Sequence, residues 1–325
     1  MGDGSPGRGE LLKGRHVQYA ILALLFGELM SEPSSLPRII VTGATSLIGR
    51  FLLPRLLAAG YEVHAVSRTG GKQPATMSPL IWHQADIAQA APLPAVDAQA
   101  LIHLAPLWLL PPLLPALASL HVQRVIGFSS TSVFSKAESE NEMERRLAER
   151  LARAEEMTSR YCEASNVRWT IFRPTLVYDC HHDRNITRIA DFIRRYGFFP
   201  LLGKATGQRQ PVHADDLANA SVLTLWKHTA FDKAYNLSGG ETLTYRHMVK
   251  RIFQSLGQPV RFLTIPAWLF RGAIRGANLL LFMRAVTPEM AMRMNTDLCF
   301  DHTEAMRDFD FSPRRFSPRW DTGLE

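Results

Sequence analysis

The sequence predicts an α/β fold, a doubly wound parallel sheet with a smaller C-terminal substrate-binding lobe. The run Arg38–Thr42 is short and β-branched, which is typical of a buried parallel strand. A turn with glycines at positions 43 and 49, an apolar-periodic helix closed by Gly60, and an alternating strand over residues 61–66 follow in that order. Strand, glycine turn, helix and strand make up the first βαβ unit of a Rossmann-type fold, in which the helix N-terminus holds a pyrophosphate.

The composition is that of a globular protein with a moderate excess of positive charge. The 325 residues are 46% hydrophobic and 21% charged, with a net charge of +7, which suits one large domain or two closely joined ones. The positive residues are dispersed, so no nucleic-acid partner is predicted, while an anionic small ligand and an acidic membrane surface both fit. Three cysteines without metal-type spacing predict no metal site and a reducing, cytoplasmic location.

We predict three segments along the chain. Residues 1–36 form a tail that is disordered apart from a short apolar helix over residues 17–26. We expect this helix to lie upstream of the true start of translation, at Met30. A helix that touches a membrane is the alternative interpretation of that apolar run, which is too short to span a bilayer. Residues 37–180 form the NAD(P)-binding domain, and residues 181–325 mostly form the substrate-binding lobe, interleaved with it.

The end of the second strand bears on the choice of cofactor. Folds that prefer NAD place a carboxylate near this point, where it accepts hydrogen bonds from the ribose 2′-hydroxyl. Here the strand ends in Ser67 and Arg68, and a guanidinium can pair with a 2′-phosphate instead. We therefore predict NADP as the cofactor, with NAD as the less favoured alternative. It also remains open that Arg68 is an arginine on a solvated loop without a cofactor contact.

The glycine turn also resembles a family signature. Residues 42–49 read TGATSLIG and resemble the TGxxGxxG motif of the extended short-chain dehydrogenase/reductase family, which comprises NAD-dependent epimerases and dehydratases. Ser46 stands where the middle glycine is expected, and its hydroxyl alters phosphate binding without abolishing it. The resemblance, which covers residues 38–313, implies that the cofactor contacts six residues of the turn. These are Gly43, Thr45, Ser46, Leu47, Ile48 and Gly49.

Three later segments resemble the same family at its cofactor contacts. A third strand over residues 80–83 precedes Asp86 and Ile87, which the resemblance places near the adenine, although a plain loop aspartate is an open alternative. The fourth strand ends in His103, Leu104 and Ala105, alongside the cofactor. The segment RPTLVY resembles the family's RPxxVYG, and its Pro174 matches the proline that packs against the nicotinamide.

The catalytic residues depart from the family pattern. Thr131 follows a fifth strand and matches the family's Ser/Thr, whose hydroxyl polarises the substrate oxygen; alternatively it ends the strand or caps a turn. The family relies on a tyrosine and a lysine four residues later, on one helix face. No lysine of this sequence has a tyrosine four residues before it, and the helix predicted over residues 141–162 has Leu147 and Leu151 in those places. Tyr178 or His181 is then the predicted replacement acid or base, with the adjacent His182 and water as open alternatives.

The residues predicted to contact the substrate lie mainly in the C-terminal half of the chain. Residues 207–218, GQRQPVHADDLA, resemble the family's GxRxxxHVxDxA, in which the arginine matched by Arg209 contacts a nucleotide-sugar diphosphate. We also predict that Asp216 caps the following helix. Residues 197–203 read as an apolar loop, which together with residues 107–114 suggests a partly lipophilic substrate. A helix over residues 262–284 either lies on anionic lipid as a peripheral membrane contact or packs on the substrate lobe, and a homodimer is left open.

Two hypotheses for function follow. The first is an NAD(P)-dependent oxidoreductase, epimerase or dehydratase that acts on a sugar nucleotide or another hydroxyl or carbonyl substrate, with an atypical active site. The second is a non-catalytic NADP-binding scaffold or sensor, associated with a membrane. The intact nucleotide signature supports both hypotheses. The leucines in place of the proton relay favour the second, and the retained Thr131 and Arg209 favour the first.

Overall fold

In the computed structural model, residues 36–70, 79–89, 91–266 and 293–320 are described. The strands are β1 Arg38–Thr42, β2 Glu62–Ser67, β3 Leu80–Gln84, β4 Ala100–His103, β5 Arg124–Phe128, β6 Arg168–Pro174, β7 Val177–Tyr178, β8 Phe199–Leu202, β9 Gln208–Arg209, β10 Val212–His213, β11 Lys233–Leu237, β12 Leu243–Thr244 and β13 Phe262–Ile265. The helices are α1 Gly49–Ala58, α2 Ser132–Ser135, α3 Glu142–Ala164, α4 Ile186–Tyr196, α5 Ala214–Thr224, α6 Tyr245–Ser255 and α7 Thr303–Phe309. Short 3₁₀ helices cover Ile87–Gln89, Leu107–Leu109, Pro111–Ala116 and His228–Ala230.

The central sheet has seven strands, all parallel, in the order β3-β2-β1-β4-β5-β6-β11. The chain runs outward from β1 to β3 and then returns to the other side of β1 at β4. Ligands of doubly wound sheets bind at the carboxyl ends of the strands where the order reverses, here between β1 and β4. The predicted doubly wound α/β fold is confirmed.

The side chains of β1 show why the sheet is buried on both faces. Ile39 and Val41 point into one core, where they pack with helices α1, α5 and α7. Ile40 points into a second core, which it shares with α3 and with the 3₁₀ turns after β4. Because successive strand residues face opposite sides, an unbroken apolar run fits only a strand covered by helices on both faces.

A third core belongs to the smaller lobe. Helices α4 and α6 pack on the parallel pair of β8 and β13, with Phe199 and Phe253 fully buried between them. Met294 and Phe316, from the last described segment, are also buried in this core. The lobe therefore draws on distant stretches of the chain, while β11 returns to the central sheet beside β6.

Two element predictions were wrong in detail. Residues 197–203 do not form a loop, because Phe199–Leu202 is strand β8 and pairs with β13. The single strand predicted over residues 167–178 is two, since the chain leaves the sheet after Pro174 and β7 pairs with β10 instead. A helix was also predicted over residues 262–284, but its first four residues form strand β13. Residues 267–284 and the predicted tail over residues 1–35 lie outside the described residues. No helix in the described ranges is long and apolar enough to cross a membrane.

Candidate functional site

A cleft of about 520 Å³ opens at the carboxyl ends of β1, β2, β3 and β4. This is the switch point of the sheet, where doubly wound folds bind nucleotides. The structure brings together at this cleft most of the residues predicted to contact the cofactor. The predicted residues that line it are Gly43, Thr45, Ser46, Arg68, Asp86, Ile87, Leu104 and Ala105.

The two outer glycines of the turn are required by close contacts. Gly43 has a φ of +69°, and a Cβ placed there would lie 2.6 Å from the backbone nitrogen of Ala105, at the end of β4. A Cβ on Gly49 would lie 2.1 Å from the carbonyl oxygen of Ala44. Both distances are far below a normal contact, so the turn folds tightly against β4 only with glycine at these positions.

The middle position accepts a serine for a local reason. The backbone φ of Ser46 is not positive, so the conformation at this position does not require glycine. Its amide donates to the carbonyl of Gly43 at 2.9 Å, and its hydroxyl oxygen accepts the amide of Gly49 at 3.2 Å. The serine therefore satisfies one of the free amides at the start of α1, at a residue that the family resemblance predicts to contact the cofactor.

Two arginines supply positive charge to the cleft. Arg68 is exposed at the end of β2, and Arg184 reaches the same cleft from the loop between β7 and α4. Neither side chain has an acidic partner among the described residues. The cleft carboxylate, Asp86, accepts the amide of Ala88 at 3.1 Å and so caps the following 3₁₀ turn. No local feature of the sequence indicated Arg184, because only the folding of the lobe brings it to the cleft.

His103 lies below the cleft and does not line it. Its ring is fully buried, and its Nε2 atom is 3.2 Å from the carbonyl oxygen of Pro106, which can only accept. Nε2 therefore carries the proton, and Nδ1 accepts the hydroxyl of Thr42 at 2.8 Å. Burial lowers the pKa of His103 to about 4, so the ring is neutral at neutral pH. Its role in the structure is to join the ends of β1 and β4.

Four further predicted cofactor residues do not line the cleft with the others. Leu47 and Ile48 pack on the apolar core, and Gly49 is buried as the first residue of α1. Pro174 ends β6 and is buried, and its carbonyl oxygen accepts both the amide and the hydroxyl of Thr131, at 3.1 and 3.2 Å. Contacts of these four residues with a cofactor remain predictions.

A second cavity, of about 340 Å³, contains the retained family residues Thr131 and Arg209. Lys136 and Arg293 line it as well, so three cations line the cavity that contains Thr131. The Lys136 ammonium lies 3.5 Å from a carboxylate oxygen of Glu144, and Arg293 pairs with the same carboxylate. A single carboxylate is shared between two of the three cations, so the cavity has a net positive charge. A positive cavity favours an anionic ligand.

Glu144 is held ionised by its neighbours. Burial acts to raise its pKa, but the hydroxyl of Ser139 together with Arg293 and Lys136 keeps the pKa below the usual value for a glutamate. Sequence reasoning missed Lys136, although one signal was present. Lys136 stands four residues after Ser132, one helical turn on, and therefore on the same side of the segment that follows β5.

Arg209 is mostly committed to backbone oxygens. One terminal nitrogen donates to the carbonyls of Gln208 and Thr296, both at 2.7 Å, and the other donates to that of Arg293 at 2.5 Å. The guanidinium also lies over the ring of Tyr245, 5.5 Å from its centroid. Burial lowers its pKa. Arg209 therefore holds the segment after residue 293 against β9, and only its remaining N–H groups face the cavity.

The three residues predicted to be catalytic are not brought together. Thr131 lies in the second cavity, whereas His181 lines a third. Tyr178 is fully buried, with its ring edge-on to His213 and Phe316, and burial raises the pKa of its hydroxyl. A tyrosine in this setting is a poor proton donor at neutral pH. The assignment of Tyr178 and His181 to proton transfer has no geometric support.

The positions of the missing proton relay belong to the core. Leu151 is buried on α3, and Leu147 packs against the same cluster beneath the sheet. Four residues further along α3, Glu155 accepts two hydrogen bonds from the Nε of Arg173, at 3.0 and 3.1 Å. This pair ties α3 to β6.

One predicted helix cap was wrong. The side chain of His213, not that of Asp216, caps α5, because its Nδ1 atom accepts the amide of Asp215 at 3.1 Å. Asp216 lies inside the first turn, where it accepts from the backbone nitrogen and the Nε of Arg314, at 3.0 and 2.8 Å. A histidine with its proton on the other nitrogen can accept this backbone amide, as the side chain of an aspartate can.

Comparison with known proteins agrees with this architecture. The model of the NAD dependent epimerase/dehydratase family matches residues 39–107 and 111–238. One curated relative, the mitochondrial NADH dehydrogenase (ubiquinone) 1 alpha subcomplex subunit 9 of Arabidopsis thaliana, is 30% identical over 98 residues. That stretch is 30% of this chain and 24% of the relative, so the matched part spans about a quarter of the relative's length.

Solved structures share the fold at low sequence identity. UDP-glucose 4-epimerase of Thermotoga maritima, solved with UDP-glucose, is 15% identical with a TM-score of 0.63, over 85% of this chain and 93% of that one. UDP-glucuronic acid 4-epimerase of Bacillus cereus, in complex with NAD, is 17% identical with a TM-score of 0.64, over 85% and 93%. dTDP-glucose 4,6-dehydratase of Bacillus anthracis, in complex with NAD, is 15% identical with a TM-score of 0.61, over 86% and 92%.

Proposed function

Because this chain belongs to the NAD dependent epimerase/dehydratase family, we propose that it binds NADP(H) in the cleft between β1 and β4 and acts on a hydroxyl or carbonyl substrate. The observation that carries the proposal is the pair of arginines, Arg68 and Arg184, at a cleft whose β2 end has no carboxylate. A guanidinium at this place pairs with a 2′-phosphate, which NADP has and NAD lacks.

The fit of a dinucleotide is supported by the shape of the turn. Gly43 lets the turn approach β4, and Thr45 and Ser46, which directly precede α1, line the cleft near the partial positive charge of the helix end. Arg68 would bind the 2′-phosphate, and Arg184 would cover the phosphates from the lobe side. NADPH bound there would supply a hydride, and the protein residues would orient the substrate and supply the proton.

The second cavity supports a substrate that carries negative charge. Lys136, Arg209 and Arg293 line it together with Thr131. The nucleotide sugars named with the solved relatives carry a diphosphate, and a sugar nucleotide is the substrate class that we propose here. In this proposal the Thr131 hydroxyl gives up its hydrogen bond to the Pro174 carbonyl to donate to the reacting oxygen. The Lys136 ammonium donates the proton, a role that Tyr178 cannot fill from its buried position.

A titration tests the cofactor assignment first. The full chain is titrated with NADPH and with NADH, and fluorescence of the bound nicotinamide is followed. We expect NADPH to bind more tightly by at least about tenfold, since a charge-assisted pair contributes about 1.5 to 3 kcal/mol. Arg68→Gln should remove this preference, and Arg160→Gln, an exposed arginine on α3, serves as the control. Tighter binding of NADH by the unaltered chain would overturn the assignment.

The buried leucines favour a second candidate function, a non-catalytic NADP-binding protein. Leu147 and Leu151, which the sequence resemblance puts in the places of the family's proton relay, lie in the core. The Arabidopsis relative is named as a subunit of a larger dehydrogenase, which supports a role within an assembly. Addition of UDP-glucose, UDP-glucuronic acid, dTDP-glucose and simple carbonyl compounds to the NADPH-loaded chain separates the two candidates. Turnover that Thr131→Val and Lys136→Met both abolish supports the enzyme, whereas NADPH binding without any turnover supports the second candidate.

A further inference from the structure

A third cavity, of about 790 Å³, has a strongly basic lining that the proposed function does not use. Its walls come from the first turn of α1, the loop after β7, the β10–α5 junction and residues 314–319. Four arginines converge on it from two distant parts of the chain. They are Arg50, Arg314, Arg315 and Arg319.

The acidic residues of this cavity do not neutralise it. One oxygen of Asp179 accepts the backbone amides of residues 181, 182 and 183, at 2.9, 2.8 and 3.1 Å. These bonds hold the pKa of Asp179 below its usual value against the effect of burial. Asp215 is shared between Arg55 and Arg314, at 2.6 and 2.7 Å. Both carboxylates are therefore committed to structure.

Three of the arginines are left without a carboxylate partner in the described ranges. Arg50 contacts the ring of His182, and the side chains of Arg315 and Arg319 are exposed with no hydrogen-bond partner described for either guanidinium. Unpaired guanidinium groups around one concave space repel each other unless an anion lies between them. The cavity thus has a net positive charge and free N–H donors directed at solvent or at a ligand.

His213 adds a neutral donor to the same wall. Its Nδ1 atom accepts the Asp215 amide, so the ring proton is on Nε2, which has no partner among the described residues. Burial and, next, the charge of Arg314 lower its pKa, so the ring is neutral at neutral pH. The Phe51 ring, whose centroid is 5.4 Å from that of His213, supplies an adjacent apolar surface.

We propose that this cavity binds a phosphate-bearing small molecule at a site separate from the dinucleotide cleft. Guanidinium groups bind phosphate oxygens in pairs of parallel hydrogen bonds, and the cavity volume lies in the range of small-molecule sites. Arg50, Arg315 and Arg319 line neither the cleft nor the second cavity. The loop that supplies His182 to this site also supplies Arg184 to the cleft, so the two sites share a wall.

Isothermal titration with inorganic pyrophosphate tests the proposal. The probe is added to the full chain and to Arg315→Gln/Arg319→Gln, with Arg146→Gln/Arg160→Gln as a control of equal charge change on exposed positions of α3. We expect the first variant to bind pyrophosphate at least about tenfold more weakly, since each charge-assisted bond contributes about 1.5 to 3 kcal/mol. The control should bind as the unaltered chain does.

Three results would overturn the proposal. One is loss of pyrophosphate binding in Arg68→Gln/Arg184→Gln with retention in Arg315→Gln/Arg319→Gln, which would place the anion in the dinucleotide cleft. Another is an equal loss of pyrophosphate binding in Arg146→Gln/Arg160→Gln and in Arg315→Gln/Arg319→Gln, which would show that binding follows the overall charge and not this cavity. The third is no binding at all. NADPH titration of Arg315→Gln/Arg319→Gln separates this outcome from failure of the proposed function, because that variant should bind NADPH normally.

Discussion

The hydroxyl of Thr42 donates a hydrogen bond of 2.8 Å to the Nδ1 atom of His103, and this bond joins the ends of β1 and β4 directly beneath the nucleotide cleft. The bond requires a neutral imidazole, because a protonated ring has no acceptor nitrogen. Two residues that are far apart in the sequence therefore make the floor of the cleft dependent on pH.

We expect the stability of the protein to fall as the pH drops below about 6.5 because of His103. Its pKa is lowered from 6.5 to about 4 by burial, so over this range the unfolded chain binds a proton that the folded chain does not. The stabilisation is fully present above 6.5 and is lost as the pH falls toward 4. Between about pH 7.5 and about pH 5 the loss from this group is about 2 kcal/mol. Urea unfolding at the two pH values measures it.

Two variants identify the contribution of His103 to this loss. His103→Gln should lose less stability between the two pH values than the unaltered chain, because glutamine does not titrate. His121→Gln, which removes an exposed histidine, should leave the pH dependence as it was. Equal losses in His103→Gln and in the unaltered chain would show that the buried ring is not responsible.

We expect Ser46→Gly to tighten NADPH binding. The Ser46 hydroxyl accepts the amide of Gly49 at 3.2 Å and so competes with a phosphate for that donor. A competing hydrogen bond contributes about 1 kcal/mol, which corresponds to about fivefold in the dissociation constant. Ser119→Gly, at an exposed serine away from the cleft, is the matched control. Weaker binding by Ser46→Gly would mean instead that the hydroxyl itself donates to the phosphate.

Arg184→Gln should weaken NADPH binding by about twofold to fivefold and reduce its dependence on salt. Arg184 lines the cleft from the lobe side, and its charge interacts with the phosphates through water-exposed space, where ion pairs contribute about 1 kcal/mol or less. Fluorescence titrations at low and moderate salt measure both effects. Arg188→Gln, an exposed arginine one turn later that is outside the cleft lining, should change neither. Equal effects of the two substitutions would remove Arg184 from the site.

Arg124→Met should destabilise the fold by about 2 to 4 kcal/mol. The fully buried guanidinium donates to the carbonyls of Thr224 and Leu225, at 3.0 and 2.9 Å, and to the Thr170 hydroxyl at 2.5 Å. Burial lowers its pKa to about 10, which still leaves it charged at neutral pH. Methionine would leave these oxygens without donors.

The control for Arg124 is Arg168→Met. Arg168 lies at the start of β6, and its pair with Asp232 is largely exposed to solvent, so its loss should cost less than about 1 kcal/mol. Chemical unfolding of both variants gives the comparison. If the two substitutions cost the same free energy, the buried hydrogen bonds of Arg124 are not the source of its contribution.

Features that depend on neighbouring residues were predicted correctly, whereas features that depend on residues far apart in the sequence were not. The family resemblance inferred from residues 42–49 and 207–218 is confirmed by the family match, and the fold class by the sheet order. The errors lay where a distant strand decided the outcome. Residues 199–202 became strand β8 because β13 supplies its hydrogen bonds. The α5 cap is His213, and Asp216 instead pairs with Arg314, 98 positions later in the sequence.

The sequence by itself determined the first βαβ unit, the placement of Arg68 at the end of β2, and the absence of the tyrosine–lysine pair. These features are local, since strand and helix periodicity and the glycine turn depend on neighbours within a few residues. Only the tertiary structure decided that Arg184 joins Arg68 and that Arg315 and Arg319 join Arg50. Those groups meet because the lobe and the last described segment fold back onto the sheet, and like charges brought together in this way leave no periodic trace in the sequence.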